Sequence, residues 1–434
     1  MSGCMLQLAQ RAPGSPRSAA LTSMTCVRQS WRSLSRTSSV RSVNGGRYDA
    51  SKLIAATELE DSASDASPNR KAAKHWRSTG RSATTVISHD RRRGADKASP
   101  GVDRRLVTVR FWAAYVPCES QWLDAVPMSV EQIDVVRRLV DKYPHYLSLA
   151  TSAQDIVEAH RRGRIASLLG VEGGHSLGSR LAVLRTFYQS GVRYLTLTHT
   201  CDTPWATSSA TEGDGEHVAR GLNDFGKAVV HEMNRLGMIV DLSHTSRQTT
   251  MDALRASRAP VIFSHSSAQA LCNTSRNVPD DVLKKVTRNG GLVMVNFYSE
   301  FISCDHNATL LDVVAHLNYI RAVAGIDHVG LGAGYDGINW TPRGLEDVSM
   351  YPHLFAELLM DASWTEMDLK KLAGLNFLRV FRQVEEVSRQ MTAEQVTASE
   401  ERVDPRQLLF SSAARCSYDL TEALSKRAPK STEL

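Results

Sequence analysis

From about Leu106 the chain alternates short, almost wholly apolar runs with amphipathic stretches, and this alternation limits the possible fold more than any other feature. The apolar runs are Phe111–Pro117, Ile165–Val171, Tyr194–Thr198, Met238–Leu242, Val261–Phe263, Leu292–Phe297 and Val329–Leu331. Helical patterns lie between most of them, among them Val130–Tyr143, Ser179–Ser190, Asp224–Leu236, Arg247–Ala256 and Leu310–Ala324. Strands apolar at successive positions are buried on both faces, which describes a parallel sheet covered by helices. Seven of them in one body of about 280 residues predict an α/β fold of the (β/α)8 barrel type. A doubly wound sheet is the alternative, and no Gly-x-Gly-x-x-Gly follows any strand.

Residues 1–105 read differently. They are rich in Ser, Arg, Ala and Thr, hold few aromatics and keep no period, so a disordered basic segment is expected. Residues 1–100 carry a net charge of +10 and residues 101–434 a net −4, which together give the +6 of the whole chain. The predicted division is a 1–105 segment, a 106–390 barrel and a 391–434 C-terminal extension. The slightly acidic body has no basic face interleaved with aromatics, which argues against nucleic acid as a partner. No run approaches the roughly 18 apolar residues of a membrane-spanning helix. The N-terminus has no signal-peptide pattern, and Lys430–Leu434 has no hydrophobic tail of the anchor type.

Several strands end beside an ionisable residue: Glu172, His199, His244 and His265 follow the second, third, fourth and fifth apolar runs. In barrel enzymes these ends converge on one face and carry the chemistry. Two His and a carboxylate suit zinc with an open position for water, which is hydrolytic chemistry. Any one of these His, taken alone, reads more simply as a hydrogen-bonded buried residue. A competing signal is Gly174-His175-Ser176-Leu177-Gly178, a Gly-x-Ser-x-Gly pentapeptide that would make Ser176 the nucleophile of a serine hydrolase. Glu172 and Gly173 separate it from the apolar run, which speaks against that reading.

Six blocks resemble the membrane (renal) dipeptidases. They are Phe111-Trp112-Ala113-Ala114-Tyr115-Val116-Pro117-Cys118-Glu119, Gly170-Val171-Glu172-Gly173-Gly174-His175, Tyr194-Leu195-Thr196-Leu197-Thr198-His199, Phe263-Ser264-His265-Ser266-Ser267, Arg276-Asn277-Val278-Pro279-Asp280-Asp281 and Gly344-Leu345-Glu346-Asp347-Val348-Ser349. The similarity covers about residues 108–420. It implies a two-zinc (β/α)8 barrel that hydrolyses dipeptides, cysteinyl-glycine-type substrates such as leukotriene D4, and some β-lactams. By position, Glu172 resembles the carboxylate bridging both zincs, and His244 and His265 the ligands of the second. His199 resembles the group that contacts the scissile carbonyl and stabilises the tetrahedral intermediate. Arg276 resembles the holder of the substrate carboxylate, a task suited to a planar bidentate donor.

Two departures from that family stand out. Its first strand ends in His-x-Asp, and no His-x-Asp occurs in residues 1–110. The nearest candidate, Thr84–Ile87 followed by His89 and Asp90, would send its adjacent side chains to opposite faces of a strand. Its last strand carries an Asp as proton shuttle where this chain has Gly334, in Gly330-Leu331-Gly332-Ala333-Gly334-Tyr335-Asp336-Gly337. Asp336, two positions on, is the candidate replacement. A non-catalytic binding protein is therefore the rival to an active dipeptidase.

The resemblance further implies disulfides Cys118–Cys201 and Cys272–Cys304, and a homodimer linked through Cys416. Cys4 and Cys26 have no assigned partner. Asn273, Asn307 and Asn339 begin glycosylation sequons, the third weakened by Pro342. Paired cysteines imply an oxidising compartment. A cell-surface, lipid-anchored or secreted location follows from the resemblance.

Overall fold

In the computed structural model, which describes residues 85–87, 109–212 and 220–403, each of the seven apolar runs becomes a parallel strand. The strands are β1 (Thr85–Ile87), β2 (Val109–Tyr115), β3 (Leu147–Leu149), β4 (Ile165–Glu172), β5 (Val192–Thr196), β6 (Ile239–Asp241), β7 (Ile262–Phe263), β8 (Leu292–Val295) and β9 (Val329–Leu331). Sequential strands are neighbours along β1-β2-β4-β5-β6-β7-β8-β9. The short β3 pairs with the first half of β4, from Leu147 against Ile165, and β5 pairs with the second half. The result is a curled, TIM-like parallel sheet wrapped by helices.

Helices return the chain between strands: α1 (Ala125–Lys142), α2 (Ala153–Arg161), α3 (Leu181–Gln189), α4 (Asp224–Leu236), α5 (Arg247–Ala256), α6 (Asp280–Asn289), α7 (Ser299–Ile302), α8 (Leu310–Ala324), α9 (Tyr351–Leu358), α10 (Glu366–Lys370) and α11 (Asn376–Ala393). Their starts follow capping chemistry. Ser152, Asn223 and Ser246 each accept a hydrogen bond from a backbone N–H in the first turn, and Thr309 with Asp312 forms a reciprocal capping box. The α4, α5 and α8 bounds equal those predicted from the apolar period. The strongly amphipathic α6 was not predicted from sequence, and neither were β3 and α2.

The first strand is replaced rather than lost. Thr85–Ile87, inside the basic segment 1–105, pairs in parallel with β2 from Thr85 against Val109 to Ile87 against Phe111. It also comes against β9, so the curled sheet returns on itself. The segment therefore supplies one strand, and the sheet begins upstream of residue 106. His89 and Asp90, which follow this strand, lie outside the described residues, as does Cys416.

Alternation along the strands sorts side chains into two cores. Val109, Phe111, Leu168, Tyr194, Ile239, Ile262, Leu292 and Met294 fill the barrel interior, with Phe377 and Phe381 of α11 packed against them. Trp112, Leu169, Val171, Leu195, Val240, Phe263, Val293 and Leu331 face outward under the helices. Gly170 is required in this interior, because a Cβ there would collide with the Tyr194 ring. Among the described residues no helix is long and apolar enough to cross a membrane.

Candidate metal centre

The sheet register sets Tyr115, Glu172, Thr196 and Asp241 side by side at the C-terminal ends of β2, β4, β5 and β6. Just beyond this row the loops deliver His199, His244 and His265. One oxygen, Glu172 Oε1, lies 3.2 Å from His244 Nε2, 3.4 Å from His265 Nε2 and 3.6 Å from His199 Nε2. The two nitrogens of His244 and His265 are themselves 2.9 Å apart. The His199 ring stacks on His244 at 4.2 Å, and the Tyr115 ring is tilted against His199 at 4.5 Å. All four ligand candidates are buried, none more than 8% exposed.

His244 sits at φ +67°, a left-handed conformation uncommon for a side chain with a Cβ. Its carbonyl accepts hydrogen bonds from Thr198 Oγ1 and Ser209 N, both at 2.8 Å, while the Ser208 hydroxyl donates to the neighbouring His199 carbonyl. Two donors on one carbonyl hold this backbone in place, and strain held in this way clusters at functional sites.

The electrostatics favour a neutral His244 ring. Burial, then the Arg276 and His199 charges, hold His244 well below the ordinary histidine range, with Glu172 opposing. Neutral imidazole is the form that ligates metals. Two ring nitrogens and a carboxylate oxygen crowded together, with His244 Nδ1 buried and unpartnered among the described residues, are a donor set that suits a divalent cation.

Asp241 was not singled out by sequence reasoning. It ends β6 fully buried and accepts from Thr196 Oγ1, Ser264 Oγ, Ser243 N and Ser264 N. Burial pushes its carboxyl upward, against these four hydrogen bonds. The available signal was a lone Asp inside the apolar run Met238–Leu242.

Arg276 reaches the cluster from the loop after β7. Its guanidinium donates to the His265 carbonyl at 3.4 Å and lies 5.4 Å from the Phe301 ring. Burial lowers its pKa to about 10, which leaves it charged at neutral pH. With His244 it lines a cavity of about 190 Å³ that also touches Gln269, Asn277 and Val282.

Two sequence candidates are not brought to the cluster. Asp336 lies in the turn after β9 and faces Arg110 at 3.8 Å. Arg110 stands between the interior residues Val109 and Phe111 and packs 4.3 Å from the outward-facing Trp112, so strand alternation puts this ion pair on the outer side of the wall. Ser176 is fully buried, and its Oγ has no hydrogen-bond partner among the described residues, so no base activates it. The neighbouring His175 instead meets the Val116 carbonyl through Nε2.

Cys118–Cys201 and Cys272–Cys304 are disulfide-bonded, as the resemblance implied. The first ties the loop after β2 to the loop after β5, two residues beyond His199.

Residues 67–395 match the family described as Membrane dipeptidase (Peptidase family M19), and the chain belongs to that family. It is 49% identical over 284 residues to Dipeptidase 3 of Rattus norvegicus, covering 65% of this chain and 57% of the relative, and equally identical to Dipeptidase 3 of Mus musculus over 65% and 56%. The chain thus spans a little over half the length of these curated relatives. The fold is shared with a metallo peptidase from Rhodobacter sphaeroides liganded with a phosphinate mimic of the dipeptide L-Ala-D-Ala, at a TM-score of 0.63 and 22% identity, covering 70% of this chain and 99% of the other.

Proposed function

We propose that this chain is a zinc-dependent dipeptidase whose metal is held by Glu172, His244 and His265. The observation that carries the reading is the convergence of three imidazole Nε2 atoms on the single oxygen Glu172 Oε1. Zinc in a site with three protein ligands and an open position polarises a carbonyl and lowers the pKa of bound water to about 7.

The chain's own groups account for the rest of the chemistry. His199 is 3.6 Å from Glu172 and stacks on His244, where its ring can hydrogen-bond an oxygen gaining negative charge. Arg276 offers a charged, planar donor beside His265 to the carboxylate that ends a dipeptide. A substrate anchored there has its peptide bond near the cluster, which restricts the enzyme to short substrates. Cysteinyl-glycine-type dipeptides, leukotriene D4 and β-lactams are the proposed substrate classes. A dimer linked through Cys416, glycosylation at Asn273 and Asn307, and a cell-surface or secreted location belong to the same proposal.

A second reading has an observation of its own. Gly334 stands where a shuttle carboxylate is expected, at φ +72°, and Asp336 is engaged by Arg110. Without a substitute the chain would bind a dipeptide and not turn it over. Zinc content by elemental analysis and dipeptide hydrolysis, measured on one purified sample, decide between the two. Bound zinc with turnover supports the enzyme, one zinc or none without turnover supports the binding protein, and turnover without zinc contradicts the metal reading.

A further inference from the structure

We propose that Asp241 and Ser264 fix the ring hydrogen of His265 on Nδ1, acting as positioning residues that keep Nε2 open for a metal; the inference rests on the metal reading above. Asp241 Oδ2 accepts from Thr196 Oγ1 and from Ser264 Oγ, both at 2.6 Å. Its Oδ1 accepts from Ser264 N at 2.8 Å and Ser243 N at 3.1 Å. Four donors converge on one carboxylate, and Ser264 Oγ then stands 2.8 Å from His265 Nδ1.

A hydroxyl carries one hydrogen. Ser264 gives it to Asp241, so towards His265 it can only accept, and Nδ1 must be the protonated nitrogen. In a neutral ring Nε2 then keeps its lone pair, and Nε2 is the atom facing Glu172 Oε1 and His244 Nε2. Metal-bound histidines ordinarily hold a carboxylate or carbonyl through their second nitrogen. Here a serine hydroxyl stands between ring and carboxylate. The same carboxylate also fixes the backbone, because Ser243, held by Asp241 through its N–H, accepts from His265 N through Oγ at 3.0 Å.

Asp241→Asn tests this without changing volume. The amide oxygen must take the Oδ1 place, where two backbone N–H groups point, so the NH2 faces Ser264 Oγ. The serine then turns its hydrogen to Nδ1, and the ring hydrogen moves to Nε2, closing the lone pair to metal. Ser264→Ala removes the intermediary. Thr196→Val removes the other hydroxyl from the same carboxylate but leaves the path to His265 intact.

The measurements are ring ¹⁵N shifts of His265 in zinc-free protein and zinc affinity by competition with a chromophoric chelator. The expected results are Nδ1–H in the parent, Nε2–H in Asp241→Asn, and zinc affinity weakened roughly 10- to 100-fold there. Ser264→Ala should lose about tenfold and Thr196→Val less than about twofold. A parent ring protonated on Nε2, unchanged affinity in both Asp241→Asn and Ser264→Ala, or a Thr196→Val loss equal to that of Ser264→Ala would each overturn the proposal. If Asp241→Asn fails to fold, the contrast between Ser264→Ala and Thr196→Val decides. If the parent binds no zinc, the metal reading falls, and the ring shifts still judge the tautomer.

Discussion

His244 Nε2 stands 2.9 Å from His265 Nε2, and both nitrogens face the same Glu172 oxygen. Two lone pairs and a carboxylate this close repel one another unless a cation or a shared proton lies among them. Burial disfavours a charged ring, so a hydrogen between the two nitrogens has to come from a neutral tautomer, and one hydrogen serves only part of the cluster. A divalent metal would accept both lone pairs and the carboxylate oxygen together, which supports reading the arrangement as a ligand set.

Glu172 Oε1 faces all three imidazole Nε2 atoms of the cluster, so Glu172→Gln should reduce both metal content and catalysis. The variant keeps the side-chain volume and removes the charge. Dipeptide hydrolysis is expected to fall by about a hundredfold or more, since metal stabilisation of the transition state is worth several kcal/mol. Elemental analysis and a rate assay on the same preparation check this; near-parental values of both would place the metal elsewhere.

The metal-free protein should lose stability on acidification. His175, His244 and His316 all have pKa values pushed below the ordinary 6.5 by burial. Below pH 6.5 the unfolded chain takes up protons that the folded one refuses, so stability is full above 6.5 and falls as pH drops towards the folded values. Each ring contributes a slope of at most about 1.4 kcal/mol per pH unit. Urea denaturation at pH 7.5 and 5.5 measures the sum, and equal stabilities at the two values would contradict the burial argument.

Arg276→Met should raise KM far more than it lowers kcat. The guanidinium acts on a carboxylate remote from the bond that breaks, and a charge-assisted hydrogen bond contributes about 1.5–3 kcal/mol, or roughly 10- to 150-fold. Arg276→Lys keeps the charge but not the planar fork and should recover only part of the loss. Steady-state kinetics on one dipeptide suffice; a fall confined to kcat would assign Arg276 to the chemical step.

Asp336→Asn separates a structural from a catalytic role. Its carboxylate meets Arg110, and both side chains are nearly enclosed, at 9% and 13% exposure. Burial has lowered the Arg110 pKa to about 10, with Asp336 raising it in opposition. Loss of that partner should cost about 1–3 kcal/mol of stability and leave kcat within about threefold. A collapse of kcat in a variant with parental thermal stability would restore Asp336 as the proton shuttle.

What could be read from the chain alone was whatever is encoded locally. Runs such as Ile165–Val171 announce strands buried on both faces, and the polar residue that ends each run, Glu172, His199, His244 or His265, is visible because it breaks the apolar pattern. The limits of α4, α5 and α8 are equally local, since capping residues and the apolar period fix them. Tertiary structure decided the rest. Thr84–Ile87 is the nearest candidate the sequence offers for a first strand, but its pairing with β2, from Thr85 against Val109, depends on an edge that only the folded sheet presents. Asp336 and Ser176 look reactive in sequence, but one is turned to Arg110 and the other sealed in the core by packing between distant segments. Asp241 looks like an anomaly in an apolar strand until the register of β5, β6 and β7 surrounds it with four donors. Periodicity specifies which face of an element is buried; barrel closure and strand register, which join residues far apart in the chain, specify which polar groups meet inside it.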